Sequence, residues 1–251
     1  MPRSKKSNGG NIGVGMSAKQ MRRKKPINTD LMVDINPLTD NQKKFFDEYK
    51  SGKNMFAYGA AGTGKTFIAL YHALRDVLDA ETPYDKVYIV RSLVSTREIG
   101  FLPGDHEDKA ALYQIPYKNM VKYMFELASD SDFEMLYGNL KAQETISFWS
   151  TSFIRGTTLD RAVVVVDEMQ NLNFHELDSI ITRIGEDSKI VFCGDAAQTD
   201  LQKVSERTGI LDFQRILQNM DEFSLIEFNV EDIVRSGLVK SYLINKINLG
   251  L

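Results

Sequence analysis

The sequence predicts an α/β domain, a mostly parallel sheet covered by helices on both faces. Three observations predict it. Short apolar runs alternate with helical patterns along most of the chain, the rhythm of strand–helix–strand units. Two runs, Val87-Tyr88-Ile89-Val90 and Val163-Val164-Val165-Val166, are apolar at every position, which suits a strand covered on both sides. Third, the loop Gly59-Ala60-Ala61-Gly62-Thr63-Gly64-Lys65-Thr66 stands between an apolar run and a helical pattern. It fits the Walker A pattern G-x-x-x-x-G-K-[ST], and strand, glycine loop, helix is the setting that motif needs.

The elements follow in order. Residues 1–27 read as a disordered basic arm, glycine- and serine-rich with almost no bulky apolar residues. The domain is expected over 28–251. Near Pro37-Leu38-Thr39-Asp40, Thr39 or Asp40 can cap a helix through Phe45, Phe46 and Tyr49. Strands are expected at 54–58, 86–90, 162–167, 189–194 and 223–228, and helices at 65–79, 117–128, 174–184, 206–219 and 231–246. The segment 92–160 breaks the rhythm and reads as an insertion within the domain. It is expected to hold loops at 92–116, two helical stretches and a polar-aromatic run, 146–150, with strand character.

Bulk properties narrow the function classes. Eight of the 31 basic residues and none of the 34 acids fall in residues 1–29, so 23 basic residues face 34 acids on the rest, a net charge of −11. A basic arm on an acidic body suggests that the arm touches an anion, although a solubilising tail has the same composition. The single Cys193 excludes an intramolecular disulfide or a cysteine metal cluster, and it reads as a small buried residue. The three histidines lack ligand spacing. No apolar run reaches the length of a membrane span and no secretory leader is evident, so the expected compartment is the cytosol.

The chemistry concentrates at the ends of strands. In the glycine loop, backbone N–H groups and a helix N-terminus can surround phosphate oxygens. Lys65 is then expected to reach the β- and γ-phosphates and the Thr66 hydroxyl to ligate Mg²⁺. Asp167 and Glu168 end a buried strand in the Walker B manner. Asp167 is expected to hold Mg²⁺ through water and Glu168 to activate the attacking water, a pairing that favours hydrolysis. Asp195 and Gln198 follow the strand at 189–194, with Gln198 as a candidate sensor of the γ-phosphate or its water. The guanine-reading Asn-Lys-x-Asp pattern is absent, which favours ATP. Gln42 can read an adenine edge through its amide or be an ordinary solvated helix residue. Arg155, Arg183 and Arg235 are candidates for stabilising charge on the γ-phosphate; each also suits a surface ion pair.

Together these blocks resemble the PhoH-like family of P-loop ATPases, related to the first domain of superfamily 1 helicases, over about residues 38–246. The blocks are Asn41-Gln42, the Walker A loop, Gly100-Phe101-Leu102-Pro103-Gly104, Arg155-Gly156-Thr157-Thr158-Leu159, Asp167-Glu168-Met169-Gln170-Asn171, Thr182-Arg183-Ile184-Gly185, Gly194-Asp195-Ala196-Ala197-Gln198-Thr199-Asp200-Leu201 and Val234-Arg235-Ser236. The chain departs from the family at Ser236, where many members have His, and at Met169 in place of Ala. The resemblance implies a RecA-like fold, ATP hydrolysis and work on single-stranded nucleic acid, with RNA as the first expectation. It supports Gln42 as an adenine reader, Gln198 as a phosphate sensor, and the three arginines as phosphate-facing. The compact length resembles phage-type members, and the expectation is that the nuclease domain some relatives carry, and with it ribonuclease activity, is missing.

One RecA-like domain implies that a second copy completes the site. A head-to-tail ring, with a hexamer as the expected size, supplies a second wall and an arginine at each junction, Arg235 being the first choice. Arg91, Ser92, Ser95, Thr96, Arg97 and Phe101 are expected to grip the strand if that loop is more than solvated surface. The arm can add salt-dependent affinity. The alternative is an ATP-dependent switch or scaffold without translocation.

Overall fold

The structure, a computed structural model, describes residues 27–91, 106–151, 154, 156–195 and 204–249. Its centre is a sheet of β1 (Asn54–Gly59), β2 (Lys86–Arg91), β3 (Ile146–Ser150), β4 (Ala162–Asp167), β5 (Lys189–Gly194) and β6 (Phe223–Phe228). The order is β3-β2-β4-β5-β1-β6, and every neighbouring pair is parallel. All the carboxyl ends therefore share one edge. From β1 to β2 the chain crosses β5 and β4, which makes the kind of switch point where such sheets bind ligands.

The helices are α1 (Asp40–Lys50), α2 (Lys65–Leu78), α3 (His106–Met124), α4 (Asp130–Ala142), α5 (Phe174–Ile181), α6 (Val204–Gln218) and α7 (Gly237–Asn248). Side chains alternate across a strand, and the valine run shows the result. Val163 and Val165 enter one buried cluster with Phe45, Leu70 and Leu74 of α1 and α2 and Val121 of α3. Val164 and Val166 enter the other with Leu177 and Ile180 of α5 and Phe213 and Leu217 of α6. Two apolar faces on one strand explain why no polar residue interrupts it.

Thr39 caps α1, its side chain accepting from the Gln42 N–H. Packed residues precede this cap. Ile27 is buried, and Met32 bridges to Phe125. The run at 146–150 is a strand, the edge strand beside β2.

Two boundaries differ from expectation. The helix expected at 117–128 is α3, which starts at His106 and carries Pro116 inside it. A proline lacks the N–H for the bond four residues back and normally ends a helix, so the sequence suggests loop where packing holds helix. The helix expected from 231 begins at Gly237. Before it, Val230–Asp232 forms a 3-10 turn closed by an Asn229–Asp232 capping box, and the Val234 N–H bonds the Gly62 carbonyl oxygen at 3.1 Å. The backbone there serves the glycine loop instead of a helix.

Candidate functional site

The glycine loop closes the carboxyl end of β1. At Gly59, φ is +111°, and a β-carbon would fall 2.0 Å from the Phe228 carbonyl oxygen on β6. That oxygen accepts the Ala60 N–H at 2.8 Å. The loop turns through Gly64, φ +83°, into the first turn of α2. Lys65 is 7% exposed, and its ammonium donates to the carbonyl oxygens of Gly59 (3.0 Å) and Ala60 (2.6 Å) and to the Thr63 hydroxyl (3.2 Å). Burial lowers its pKa from the usual lysine value, an effect opposed by Asp195, Cys193, Asp167 and Glu168.

The acidic strand meets this loop. The Thr66 hydroxyl donates to Asp167 Oδ1 at 2.6 Å, across 101 residues of sequence. Asp167 Oδ2 accepts from the Tyr117 hydroxyl at 2.7 Å. A hydroxyl and a carboxylate side by side are hard oxygen donors. They fit Mg²⁺, which takes one or two protein ligands and fills its shell with water and phosphate oxygens.

Glu168 adopts the left-handed region, φ +52°. A non-glycine residue there carries a cost of about 1 kcal/mol, and such strain clusters at functional sites. Gln170 organises this turn. Its Nε2 donates to Glu168 Oε2 at 2.5 Å, and its Oε1 accepts the Asp195 N–H at 2.9 Å. One buried amide thus joins the ends of β4 and β5.

A cleft of about 420 Å³ unites these groups. Its lining includes Gly62–Phe67, Arg91, Tyr117, Asp167, Glu168, Asp195 and Arg235. Arg91, at the end of β2, is the register partner of Asp167. Burial works to lower its pKa, but Tyr117, Asp167 and Glu168 outweigh that and hold it above the usual value. The sequence assigns Arg91 to a nucleic-acid loop; the structure turns it toward the acids.

A larger cleft, about 880 Å³, lies between α1 and α2 and includes Tyr49, His72, Arg75, Asp76 and Lys189. It contains no motif residue. Three ion pairs lie within it, Arg75 with Asp34, Lys43 with Asp47 and Lys189 with Asp76. The smaller cleft is the one that gathers the motif residues.

Three expected site residues sit elsewhere or act differently. Gln42 is 3% exposed and does not line the cleft. Its Oε1 accepts the Leu38 N–H and its Nε2 donates to the Thr63 carbonyl oxygen, so the amide is used on backbone. Arg183 follows α5, and its carbonyl bonds Leu159 just before β4. That is the amino edge of the sheet, opposite the glycine loop, so Arg183 does not face the phosphate site. Arg235 lies against its own chain's loop, its Cγ 3.0 Å from where a Gly62 β-carbon would stand. The Val234–Gly62 bond holds the neighbouring backbone there, so Arg235 adjoins the loop of its own chain. Arg155, Gln198, the segment from Ser92 to Phe101 and the arm before Ile27 lie outside the described residues.

Sequence reasoning missed Tyr117, since a lone tyrosine in a helix carries no signal. Gln170 stands within the quoted acidic block and could have been found there.

A family profile described as PhoH-like protein matches residues 34–245. A PhoH-like protein of Mycobacterium leprae (strain TN) is 31% identical over 206 residues, 82% of this chain and 56% of that protein. A PhoH-like protein of Synechocystis sp. (strain ATCC 27184 / PCC 6803 / Kazusa) is 32% identical over 203 residues, 80% of this chain and 59% of that one. Protein PhoH of Escherichia coli (strain K12) is 29% identical over 215 residues, 84% and 58% respectively. The chain spans less than two thirds of the length of each of these relatives. The solved structure of unliganded Pif1 from Bacteroides sp shows a distant likeness, TM-score 0.39 at 17% identity, over 87% of this chain and 47% of that one.

Proposed function

The chain belongs to the PhoH-like protein family, and we propose that it hydrolyses ATP in the cleft at the carboxyl edge of its sheet and couples turnover to a single-stranded nucleic acid, RNA first. The observation that carries this reading is the meeting of Thr66 and Asp167 at 2.6 Å with Glu168 one residue on. Loop lysine, metal-binding pair and base then share one cleft.

The roles follow from position. Backbone N–H groups of the loop and the start of α2 bind the phosphates. Lys65 exchanges its loop carbonyls for β- and γ-phosphate oxygens. Gln42 contributes through Thr63, holding the loop in shape rather than reading adenine directly. Thr66 and Asp167 would hold Mg²⁺, which would supply positive charge to the phosphate oxygens. Glu168 takes a proton from the attacking water as its oxygen bonds the γ-phosphorus and the bond to ADP breaks. Gln170 keeps that carboxylate aimed, while Arg235 and Arg91 offset charge that develops on the γ-phosphate. Gln198 is assigned to sensing that phosphate.

We propose further that copies of the chain form a ring, a hexamer being the expected size. Helix α7 supports this. It has no buried residue, and Leu238, Tyr242 and Leu249 stand exposed on it or at its end. Its Leu243 lies 3.2 Å from where a Gly62 β-carbon would be, so an apolar surface adjoins the glycine loop. No helix among the described residues is long and apolar enough to cross a membrane.

The deciding experiment is ATP turnover with and without RNA and single-stranded DNA, beside native mass spectrometry. RNA-stimulated phosphate release is expected. Turnover indifferent to nucleic acid at every salt concentration would favour an ATP-driven switch, and a monomer in the presence of ATP and RNA would overturn the ring.

A further inference from the structure

Helix α3 is not part of the strand–loop–helix unit, yet it touches the centre of the site. Tyr113 and Tyr117 are four residues apart and so share a face of the helix. The Tyr113 ring lies 5.7 Å from the Arg91 guanidinium, and the Tyr117 hydroxyl donates to Asp167. Arg91 and Asp167 are themselves partners across β2 and β4. The tyrosine pair therefore docks α3 onto two adjacent strand ends. On the sheet side, the Tyr117 ring packs 5.5 Å from Phe148 of β3.

Both oxygens of Asp167 are engaged, one by Thr66 of α2 and one by Tyr117 of α3. Two donors from separate helices leave the carboxylate a single orientation. Without the phenol, Oδ2 is free to swing, and the group loses the alignment that puts a lone pair beside Thr66. The residue before Tyr117 is Pro116, inside the helix and lining the same cleft. It removes one backbone bond from that turn. The turn that carries Tyr117 is thus the one at which α3 yields most readily.

We propose that Tyr117 is a positioning residue: its hydroxyl fixes the Asp167 carboxylate for the metal-bound nucleotide and so ties α3 to the state of the site. The proposal rests on the ATP reading above. It adds a route by which whatever moves α3 is felt at the metal-binding carboxylate, and by which nucleotide binding is felt at α3.

The test is binding of a fluorescent ATP analogue as a function of Mg²⁺ concentration, for the wild-type chain, Tyr117→Phe and Tyr137→Phe. Tyr117→Phe keeps the ring and its packing on Phe148. Tyr137→Phe, on α4, removes a buried hydroxyl that has no partner among the described residues and serves as the control. The Mg²⁺ concentration for half-maximal binding is expected to rise about tenfold in Tyr117→Phe, as loss of a hydrogen bond to a charged group implies. Affinity in EDTA should stay within about twofold, because the phenol acts through the carboxylate and not on the phosphates. Amide exchange in α3 should slow on adding Mg²⁺ and nucleotide to the wild-type chain and not in the variant. An unchanged Mg²⁺ dependence, or an equal loss of affinity with and without Mg²⁺, would overturn the positioning role while leaving the ATP reading intact. A wild-type chain that binds no ATP analogue in either condition would overturn both.

Discussion

The Phe228 carbonyl oxygen occupies the space that a side chain at Gly59 would need. A β-carbon there would stand 2.0 Å from it, and the same oxygen accepts the Ala60 N–H. The first glycine of the phosphate loop is thereby locked to β6, a strand 169 residues away by the register Gly59↔Phe228.

Gly59→Ala is expected to destabilise the chain by on the order of 3 kcal/mol or more, from the backbone clash and the positive φ together. Urea denaturation measures it. A change below about 1 kcal/mol would mean that the loop and β6 separate easily, contrary to the packing described.

Lys65→Ala and Glu168→Gln should both stop turnover for different reasons. The lysine variant should lose nucleotide affinity. Glu168→Gln should lower turnover by about 10²–10⁴, as removal of a general base does, and keep ATP binding. Equilibrium binding beside phosphate release separates the two. Loss of binding in Glu168→Gln would contradict its assignment as base.

Arg235 stands on its own chain's loop, so its contribution should be made in cis. Arg235→Ala and Lys65→Ala chains, each inactive, should remain inactive when mixed. Recovered turnover would show that a site can take its lysine from one copy and its arginine from another.

His72 makes a pH prediction. It packs among Phe46, Tyr49 and Tyr71, and its buried Nε2 has no hydrogen-bond partner among the described residues. Burial, and then the nearby Lys50, Lys189 and Arg75, push its pKa down to about 3. Below the unfolded value of about 6.5 the unfolded chain takes the proton first, so stability is lost as pH falls from there toward 3. By pH 5 the loss is about 2 kcal/mol from this residue alone. His72→Phe should lose less stability than wild type between pH 7 and pH 5 in urea denaturation. Equal losses would show that the imidazole is not held neutral.

Legibility in the sequence followed the range of the chemistry. The loop 59–66 and the Asp167-Glu168 pair were readable because a phosphate cradle and a strand-end carboxylate are built from contiguous residues. The valine run announced a central strand because both its faces are covered. Helix α3 was half lost to Pro116, since a local breaker rule cannot see the packing of Tyr117 and Val121 that outweighs it. Arg183 looked equal to the other arginines in sequence, yet it lies on the opposite edge of the sheet.

By itself, the sequence determined the fold class, the glycine loop and the strand-end pair Asp167-Glu168, because each depends on local backbone geometry or on a two-sided apolar pattern. Only the tertiary structure decided what surrounds them. It set Tyr117 on Asp167, Gln170 between Glu168 and Asp195, Arg91 toward the acids and Arg235 on its own chain's loop. These contacts join elements that are separate in sequence, and parallel strands bring them together by placing every carboxyl end on one edge.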